Sequence, residues 1–280
     1  MKNQDKNTVD GFGDEWSRFD QSDLPQAEQQ LLFDEYFSVF PWKNISKESI
    51  GFDLGCGTGR WAKSVAPKVK KLICIDPSSA LDIAKKNLSN FDNCVFDSTT
   101  VDEMPMHDNS MDFGYSLGVL HHVPDTALGI KQCVKKLKIG APLLLYLYYR
   151  FDNRPWWFRL IWFLTDLLRR IVSKMPYKLR YVSSQIISII VYLPLARFAL
   201  FLEKLNFNVS NFPLSSYKNL SFYTMRTDAL DRFGTRLEQR FTKKEIKNMM
   251  QNAGLENIEF SNSKPFWVAV GYKSSKIEDL

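Results

Sequence analysis

The sequence predicts an α/β fold, a doubly wound and mostly parallel seven-stranded sheet that carries a helical insertion. Short apolar runs alternate with helical patterns over residues 49–149, as they do in successive βαβ units. The same alternation returns over residues 241–273, after a long break. With 280 residues, of which 45% are hydrophobic and 24% charged, the chain is long enough to bury a domain of this kind.

Five strands are expected before the break, each a short apolar run bounded by turn residues. They are placed at 49–54, 71–76, 93–97, 111–118 and 142–149. A helix is expected at 78–88, behind a serine cap, and another at 125–137, where Asp125 or Thr126 is the cap.

Beyond the break, Thr242 and Glu245 form a capping-box pair, and Gly254 ends the helix that they open. Two more strands complete the sheet, at 255–260 and 266–273. The pattern divides the chain into an N-terminal helical lid segment, a core and an insertion. The expected bounds are 1–48 for the lid, 49–149 with 241–273 for the core, and 150–240 for the insertion.

The stretch "GFDLGCGTGRW" at 51–61 places Gly55, Gly57 and Gly59 directly behind the first strand. Glycine there accepts a positive φ and lets a ligand approach the backbone where a helix begins. The G-x-G-x-G spacing is tighter than the G-x-G-x-x-G of dinucleotide sites, and no Gly-Lys-Ser/Thr follows, as a phosphate-binding loop would require. The loop therefore favours a ligand without phosphates.

Three carboxylates follow three successive strands. Asp53 lies at the end of the first strand, Asp76 ends the second, where a carboxylate can accept ribose hydroxyls, and Asp97 ends the third. Each acid alone is typical of a solvated strand end. Together with the glycines they indicate a ligand site at the carboxyl edge of the sheet.

The stretches "DLGCGTGRW", "ICIDPS" and "SLGVLHHVPD" resemble the successive motifs of class I S-adenosylmethionine-dependent methyltransferases of the bacterial small-molecule type, which have a Rossmann-like sheet. The resemblance implies S-adenosylmethionine as cofactor. It assigns Asp53 to the ammonium of the methionine moiety, Asp76 to the ribose hydroxyls, and Asp97 to the adenine amino group. The implied cofactor-binding residues are Asp53, Gly55, Cys56, Gly57, Gly59, Asp76, Pro77, Asp97, Ser98, Leu117 and Gly118.

One departure from the family pattern concerns the adenine contact. The distance from Asp97 to the Met-Pro pair at 104–105 is about three residues shorter than the family's usual spacing to a Leu-Pro pair. Asp102 is therefore a rival of Asp97 for this contact.

His121 and His122 follow the fourth strand and are the candidate catalytic bases, because histidine exchanges protons near neutral pH. The alternative is that "LHHVPD" is a structural turn. No metal is implied, since Gly118 and His121 stand where a metal arrangement needs acids.

The acceptor site is expected from the lid and the insertion. Trp16, Arg18 and Phe19 could form a stacking lid, or belong to a helix that docks on the sheet. An insertion after the fifth strand lies at the carboxyl ends of the strands, which favours an acceptor pocket. The remaining candidate substrate-binding residues are Tyr149, Tyr223 and Arg226.

The first helix of the insertion shows apolar residues at helical spacing. Phe158, Ile161, Thr165, Leu168 and Val172 mark the face expected to be buried. A second helix is expected to bend or stop near Pro194. The alternatives are a self-packed hairpin, a homodimer interface and a surface that contacts a membrane peripherally through 150–205.

Charge is concentrated in this region, because residues 150–230 hold twelve Lys/Arg against four Asp/Glu while the whole chain has a net charge of +6. The longest uncharged run, 181–196, falls short of the roughly 18 to 20 apolar residues that cross a bilayer. No apolar signal segment opens the chain, and the four separated cysteines are typical of reduced thiols. We expect a cytoplasmic protein, with the inner face of the membrane as a peripheral site.

The expected activity is methyl transfer to oxygen or nitrogen of a small-molecule acceptor, with sugar-derived or lipid-linked acceptors leading. One alternative is methylation of a quinone or phospholipid at the membrane surface. Another is a non-catalytic cofactor-binding or scaffold protein. A nucleic-acid substrate is not expected, because no N-P-P-Y-type motif follows the fourth strand and no RNA-binding module is appended.

Overall fold

The computed structural model describes residues 3–275. These residues pack as two compact units. The first unit comprises 3–17, 31–150 and 237–275, and the second comprises 18–30 and 151–236. The second unit thus contains most of the expected insertion. The expected lid segment 1–48 is divided, because 18–30 packs with the insertion.

A seven-stranded sheet forms the centre of the first unit, and it confirms the predicted fold class. The strands are β1 (Ile50–Leu54), β2 (Lys71–Ile75), β3 (Cys94–Asp97), β4 (Phe113–Leu117), β5 (Pro142–Tyr146), β6 (Leu255–Phe260) and β7 (Val268–Lys273). Their order is β3-β2-β1-β4-β5-β7-β6. The first five are parallel, and β7 pairs antiparallel with both β5 and β6. The carboxyl ends of β1 to β5 therefore share one edge of the sheet.

Ten α-helices are present within residues 3–275. They are α1 (Lys6–Arg18), α2 (Gln26–Tyr36), α3 (Ala62–Val65), α4 (Ala80–Asn87), α5 (Thr126–Lys136), α6 (Trp156–Val172), α7 (Tyr177–Ile187), α8 (Leu193–Lys204), α9 (Phe222–Gly234) and α10 (Lys243–Asn252). The Asp125 side chain caps α5 by accepting from Leu128 N at 2.9 Å. Thr242 and Glu245 form the predicted capping box of α10.

Apolar side chains cover both faces of the sheet, as a mostly parallel sheet requires. Leu143 and Leu145 on β5 belong to one buried cluster, and the intervening Leu144 belongs to the other. Their alternation follows the two-residue period of a strand. The functional edge is consequently supported by packed layers on both sides.

Strand β5 is shorter than the sequence indicates. Its pairing with β4 ends at Tyr146, because β4 itself ends at Leu117. The chain then pairs with a distant segment, since Phe241 N donates to Tyr148 O at 2.9 Å and Arg150 N donates to Phe241 O at 2.9 Å. This pairing brings residues 237–241 to the edge of the sheet at which the carboxyl ends of β1 to β5 lie.

The second unit has a core of its own, formed by Val172, Tyr192, Ala196, Met225, Ala229 and Phe233. Residues Tyr177–Lys204 form one continuous helix of 28 residues, made of α7, a π-helical turn at Ser188–Tyr192, and α8. Within the described residues it is the one helix whose length and composition would suffice to cross a membrane. The helix does not stop near Pro194, as one of the two expected outcomes had it; a π-helical turn directly precedes the proline and lets the helix continue through it.

The sequence has four cysteines, and all four are buried free thiols. Cys56, Cys74 and Cys94 belong to one sheet-facing cluster, and Cys133 belongs to the other. Burial raises the pKa of Cys133 to about 12. The thiols behave as small apolar groups in the core.

Candidate functional site

The glycine loop joins β1 to α3 with three residues in the left-handed region. Gly55 has φ +75°, Gly57 has φ +53°, and Gly59 has φ +79°. A Cβ at Gly55 would lie 2.3 Å from Val119 Cγ2, and one at Gly59 would lie 2.7 Å from Leu88 Cδ1. Neighbouring side chains of the protein, as well as backbone conformation, therefore require glycine at these two positions.

The Asp76 carboxylate ties this loop to the end of β2. Its Oδ2 accepts from Gly57 N at 2.9 Å. Its Oδ1 accepts from Ser78 N at 2.8 Å and from Ser78 Oγ at 2.6 Å. Burial raises the pKa of Asp76, and these three hydrogen bonds oppose the rise. Since two carboxylate oxygens offer about four acceptor positions, Asp76 keeps capacity for a ligand hydroxyl.

Asp53 is a buried acid with an unused oxygen. Its side chain lies on β1 opposite Tyr115 of β4, and the residue is 1% exposed. Its Oδ2 has no hydrogen-bond partner among the described residues. Burial raises the pKa of Asp53 well above its ordinary value, the Tyr115 hydroxyl opposes the rise, and the nearby Asp76 adds to it. A buried acid of this kind fits a positively charged ligand group.

Unused polar atoms also gather behind β3. Asp97 Oδ1, Thr99 Oγ1 and Thr100 Oγ1 are buried and have no hydrogen-bond partner among residues 3–275. The rival acid, Asp102, accepts from the backbone N of Asn3 at 2.5 Å. The Asn3 side chain is in turn bonded to the backbone of Asp125. This difference favours Asp97 for the predicted adenine contact, because buried polar groups require partners.

Helix α1 lies across the glycine loop and the strand ends of the first unit. The indole Nε1 of Trp16 is 3.5 Å from the position that a Gly57 Cβ would take. A Cβ at Gly13 would lie 2.6 Å from Ser79 Oγ, so the helix approaches the turn after β2 closely. The structure thus places Trp16 on the loop to which the sequence assigns the cofactor.

The end of β4 combines open space with a tight turn. Gly118 has φ +81°, and a Cβ there would meet nothing within 4 Å. Its backbone N donates to Tyr146 O at 3.0 Å, and Ser116 Oγ donates to Leu54 O at 3.1 Å. Gly118 therefore borders a space at the edge of the sheet.

The two histidines begin directly after this space and are both buried. His122 Nδ1 lies 2.7 Å from Leu237 O, and because a carbonyl only accepts, Nδ1 carries the proton. His121 stacks on the Tyr148 ring with centroids 3.8 Å apart, and its ring centroid is 3.9 Å from that of His122. Neither ring nitrogen of His121 has a hydrogen-bond partner within residues 3–275.

His121 is held in its neutral form. Burial lowers the pKa of His121 well below its ordinary value, and the charges of His122 and Arg240 lower it further. Its neutral imidazole keeps one nitrogen lone pair, but the lowered pKa makes that nitrogen a weaker proton acceptor than in an ordinary histidine. In this pair the His122 ring is fixed by a hydrogen bond, whereas the ring nitrogens of His121 have no hydrogen-bond partner among the described residues.

The segment 237–241 supports the histidines and was not singled out as a whole by its sequence. Gln239 N donates to His121 O at 3.0 Å, and Gln239 Nε2 donates to Val123 O at 2.7 Å. The Arg240 guanidinium lies 5.0 Å from the Tyr148 ring centroid and pairs with Glu238 at 2.7 Å. Residues 224–242 are dense in paired charges, which is a signal for this segment but does not identify Arg240 or Gln239.

Tyr148, which the sequence does not single out, lies beside the histidines, and its neighbour Tyr149 lies elsewhere. Successive strand residues point to opposite faces, and Tyr148 faces the histidines. The Tyr149 ring instead packs against Phe266 and Trp267, with centroids 5.8 and 6.4 Å apart. The acceptor contact expected of Tyr149 stays a prediction, and Tyr148 occupies the position beside the histidines.

The other predicted acceptor residues form a cluster within the second unit. The Phe19 ring lies 5.6 Å from that of Tyr223, and Arg226 lies over Phe19 at 5.4 Å. Arg18 lies over the Tyr181 ring at 4.7 Å. These residues pack with one another, and their role toward an acceptor stays a prediction.

Residues 52–145 match the family described as "Methyltransferase domain". No curated protein matches the chain. A possible exported protein of known structure from Bordetella parapertussis is 12% identical with a TM-score of 0.52, and the match covers 94% of this chain and 79% of that chain. This likeness supports the fold.

Two further solved structures are similar over different extents. A SAM-dependent methyltransferase from Thermotoga maritima, described as a possible histamine N-methyltransferase, is 16% identical with a TM-score of 0.46, and covers 93% of this chain and 100% of its own. The N-methyltransferase NodS from Bradyrhizobium japonicum WM9, solved with S-adenosyl-l-homocysteine, is 21% identical with a TM-score of 0.41, and covers 50% of this chain and 72% of its own.

Proposed function

We propose that this chain, which carries a class I S-adenosylmethionine-dependent methyltransferase domain over residues 52–145, methylates an oxygen or nitrogen atom of a small-molecule acceptor. Its cofactor is S-adenosylmethionine. The observation that carries the proposal is the Asp53 carboxylate, which is buried beside the glycine loop with one oxygen unpaired. An enzyme is favoured over a scaffold protein by the domain match and by this intact site.

The cofactor supplies a methyl group on a positively charged sulfur. In the proposed arrangement, Asp53 balances the ammonium of the methionine moiety, Asp76 binds the ribose hydroxyls, and Asp97 accepts from the adenine amino group. The unused oxygens of Asp53 and Asp97 and the remaining acceptor capacity of Asp76 support these assignments. The Trp16 indole, which lies on the glycine loop, would exclude water from this side.

Methyl transfer also requires an aligned acceptor and, for a hydroxyl or amine, loss of a proton. His121 is the proposed base, because it follows the strand end at Gly118 and both of its ring nitrogens lack a partner among the described residues. His122 is the proposed positioning residue, since its bond to Leu237 O fixes its ring beside His121. The open space at Gly118 favours an acceptor at this strand end.

A second candidate is methylation of an acceptor held in a membrane, such as a quinone or a phospholipid. The observation that favours it is the outward position of large apolar side chains on the second unit, among them Leu164 and Ile190. Lipid-linked acceptors agree with both candidates. We also propose that the protein acts in the cytoplasm and contacts the inner face of the membrane.

The activity is tested with S-adenosylmethionine that carries a labelled methyl group. The protein is incubated with an aqueous metabolite extract and, separately, with a total lipid extract in vesicles, and we expect label in a low-molecular-weight product of one of them. Label in the lipid fraction alone would support the membrane-held acceptor. Cofactor binding by calorimetry without label in either extract would contradict the proposed function.

The matched control is Asp53→Asn, which keeps the size of the side chain and removes its charge. We expect labelling to fall by about tenfold or more, because hydrogen bonds to charged groups contribute roughly 1.5 to 3 kcal/mol. The variant should fold, since it removes a buried charge whose burial opposes ionisation. Unchanged labelling by Asp53→Asn would contradict the assignment of Asp53.

A further inference from the structure

Helix α6 turns polar residues inward and apolar residues outward. Its buried residues are Asp166, Arg169 and Val172. The exposed residues include Leu160, Phe163, Leu164, Leu167, Leu168 and Ile171, and Leu164 is 57% exposed. Two members of the face expected to be buried, Ile161 and Leu168, are exposed as well. Helices on the surface of water-soluble domains show the opposite arrangement.

The continuous helix of α7 and α8 repeats this inversion. Its buried residues are small, polar or charged at most positions, and include Arg180, Ser184, Ser188, Ala196 and Ala199. Its exposed residues include Leu179, Val182, Ile186, Ile190, Phe198 and Phe201, and Ile190 is 65% exposed. The two helices contact each other and both contact α9, so the same inversion occurs on neighbouring helices.

The inward polar residues are engaged within the unit. Asp166 pairs with Arg169 at 2.6 Å. Burial raises the pKa of Asp166, but its bonds to arginine side chains outweigh burial and hold that pKa below its usual range. Arg169 Nη1 donates to Thr235 O at 3.0 Å, and Arg180 Nη1 donates to Gly234 O at 3.1 Å. Both arginines thereby close the last turn of α9, whose carbonyls attract cations. The inner sides of α6 and α7 are therefore fixed against α9.

Basic side chains accompany the outward apolar surface. The exposed cations on these helices and the turn between them are Arg159, Arg170, Lys174, Lys178, Arg197 and Lys204. Two acids occur over 156–205, Asp166 and Glu203; the first is buried, and the second pairs with Lys218 at 2.5 Å. Apolar helices flanked by cations fit the interface of a bilayer with anionic headgroups.

We propose that the outward side of α6, α7 and α8 is a docking surface for a bilayer that contains anionic phospholipids, termed here the membrane face. The inserted groups are the exposed leucines, isoleucines and phenylalanines, and the flanking lysines and arginines contact lipid phosphates. This inference does not depend on methyl transfer, because it concerns the second unit alone.

The mode of docking is in the plane of the membrane. By length and composition the helix Tyr177–Lys204 could cross a bilayer. One of its sides, however, carries Arg180, Ser184 and Ser188 and packs on α9. If the helix crossed the bilayer, this polar side and the α9 helix packed on it would have to enter the hydrocarbon region, which is costly for buried charges such as Arg180. The helix therefore lies along the interface, with its apolar side toward the acyl chains.

Vesicle flotation with the full chain tests the membrane face. We expect the protein to float with phosphatidylcholine vesicles that contain phosphatidylglycerol, more weakly with phosphatidylcholine alone, and less at high salt, because screening weakens the contact of the basic residues. Absence of flotation with either vesicle would overturn the proposal. Retention on the vesicles through alkaline carbonate washing would overturn the in-plane mode.

Variants separate the apolar from the basic contribution. Leu164→Asp combined with Ile190→Asp should weaken vesicle binding by more than about tenfold, since charged side chains are costly in the acyl region. Ile139→Asp is the matched control, because Ile139 is 55% exposed on the first unit and should leave binding unchanged. Lys174→Glu combined with Lys178→Glu should abolish the preference for anionic vesicles.

Each variant is also checked for cofactor affinity and melting temperature, both of which should be unchanged because the altered side chains are exposed. Flotation of the Asp double variant at the wild-type level would overturn the proposal. A third outcome would also overturn it: wild type is a dimer in solution, the Asp double variant is a monomer, and neither protein floats. A second copy of the chain would then cover the surface in place of a bilayer.

Discussion

The Asp76 carboxylate accepts a hydrogen bond from the backbone N of Gly57 at 2.9 Å. The acid that ends β2 is thus joined to the middle glycine of the loop that follows β1. Its other oxygen is occupied by Ser78. A residue proposed to bind the ribose therefore also fixes the backbone along which the cofactor would lie.

Replacing this acid should affect both binding and stability. For Asp76→Ala we expect affinity for S-adenosylmethionine to fall by roughly 10- to 100-fold, and stability to fall by about 1 to 3 kcal/mol, because Gly57 N loses its buried acceptor. Calorimetry and thermal melting measure the two effects. Ser78→Ala removes one of the three bonds to Asp76 and should change both less. Wild-type affinity in Asp76→Ala would contradict the ribose assignment.

Gly55→Ala should destabilise the first unit by about 3 kcal/mol, from left-handed strain and from a collision with Val119. Adding Val119→Ala should recover the part due to the collision. Gly118→Ala is the control for strain, because it has a similar φ with open space and should cost about 1 to 2 kcal/mol. Equal losses in Gly55→Ala and Gly118→Ala, measured by thermal melting, would show that Val119 does not matter.

The buried His121 should make stability depend on pH. Its pKa is lowered in the folded state, so the unfolded chain binds more protons below its ordinary pKa of about 6.5, and stability is lost as the pH falls through that value. The loss approaches about 1.4 kcal/mol per pH unit. His121→Phe keeps a ring against Tyr148 and should flatten the dependence between pH 7 and pH 5.

The contribution of His121 is the difference in the free energy of unfolding between wild type and His121→Phe at each pH, because other titrating groups are common to both proteins. Asp53 contributes with the opposite sign, because its raised pKa makes stability fall as the pH rises above its ordinary value of 3.8. His122 and Arg240 face His121, and both are unchanged in the variant. Parallel curves for wild type and His121→Phe would contradict a buried neutral His121.

Glu238 pairs with Arg240, whose guanidinium lies over the Tyr148 ring that stacks on His121. The Glu238 side chain is 1% exposed and that of Arg240 is 11% exposed, and their charged atoms are 2.7 Å apart. Glu238→Leu should cost about 3 to 5 kcal/mol, because it leaves a buried guanidinium without its carboxylate. Glu238→Leu with Arg240→Met should recover most of that loss. A double variant as unstable as the single one, by thermal melting, would show that the charge pair is not the cause.

The sheet and its glycine loop could be predicted because their signals are local. The strand runs, the Thr242–Glu245 capping box and the glycines at 55, 57 and 59 are each encoded within a few neighbouring residues. The three strand-end acids could also be placed, since parallel strands end at the same edge. The assignment of these residues to cofactor atoms stays a prediction.

The residues that surround His121 and His122, namely Tyr148 and the segment 237–241, could not be predicted in the same way. Their placement depends on the pairing of Tyr149 with Phe241, two residues separated by the whole insertion, and no local pattern encodes that pairing. The choice between Tyr148 and Tyr149 then follows from strand parity. A shift by one residue sends a side chain to the opposite face.

The inversion of α6 could not be predicted for a different reason. Its sequence is apolar on most sides, so the spacing through Ile161 and Leu168 fits a helical face as well as the spacing through Asp166 and Arg169. Periodicity alone does not identify the buried side of such a helix. The contacts of Arg169 and Arg180 with the end of α9 determine it.

The burial of all four cysteines makes the chain suitable for site-directed spectroscopy. The high pKa of Cys133 further suppresses its reaction with maleimides, because the thiolate is the reactive form. A cysteine introduced at Leu164 or Ile190 would then be the reactive thiol, and one at Ile139 would serve as the reference. Fluorescent or spin labels at these positions would report how deep each part of the surface lies in a lipid bilayer.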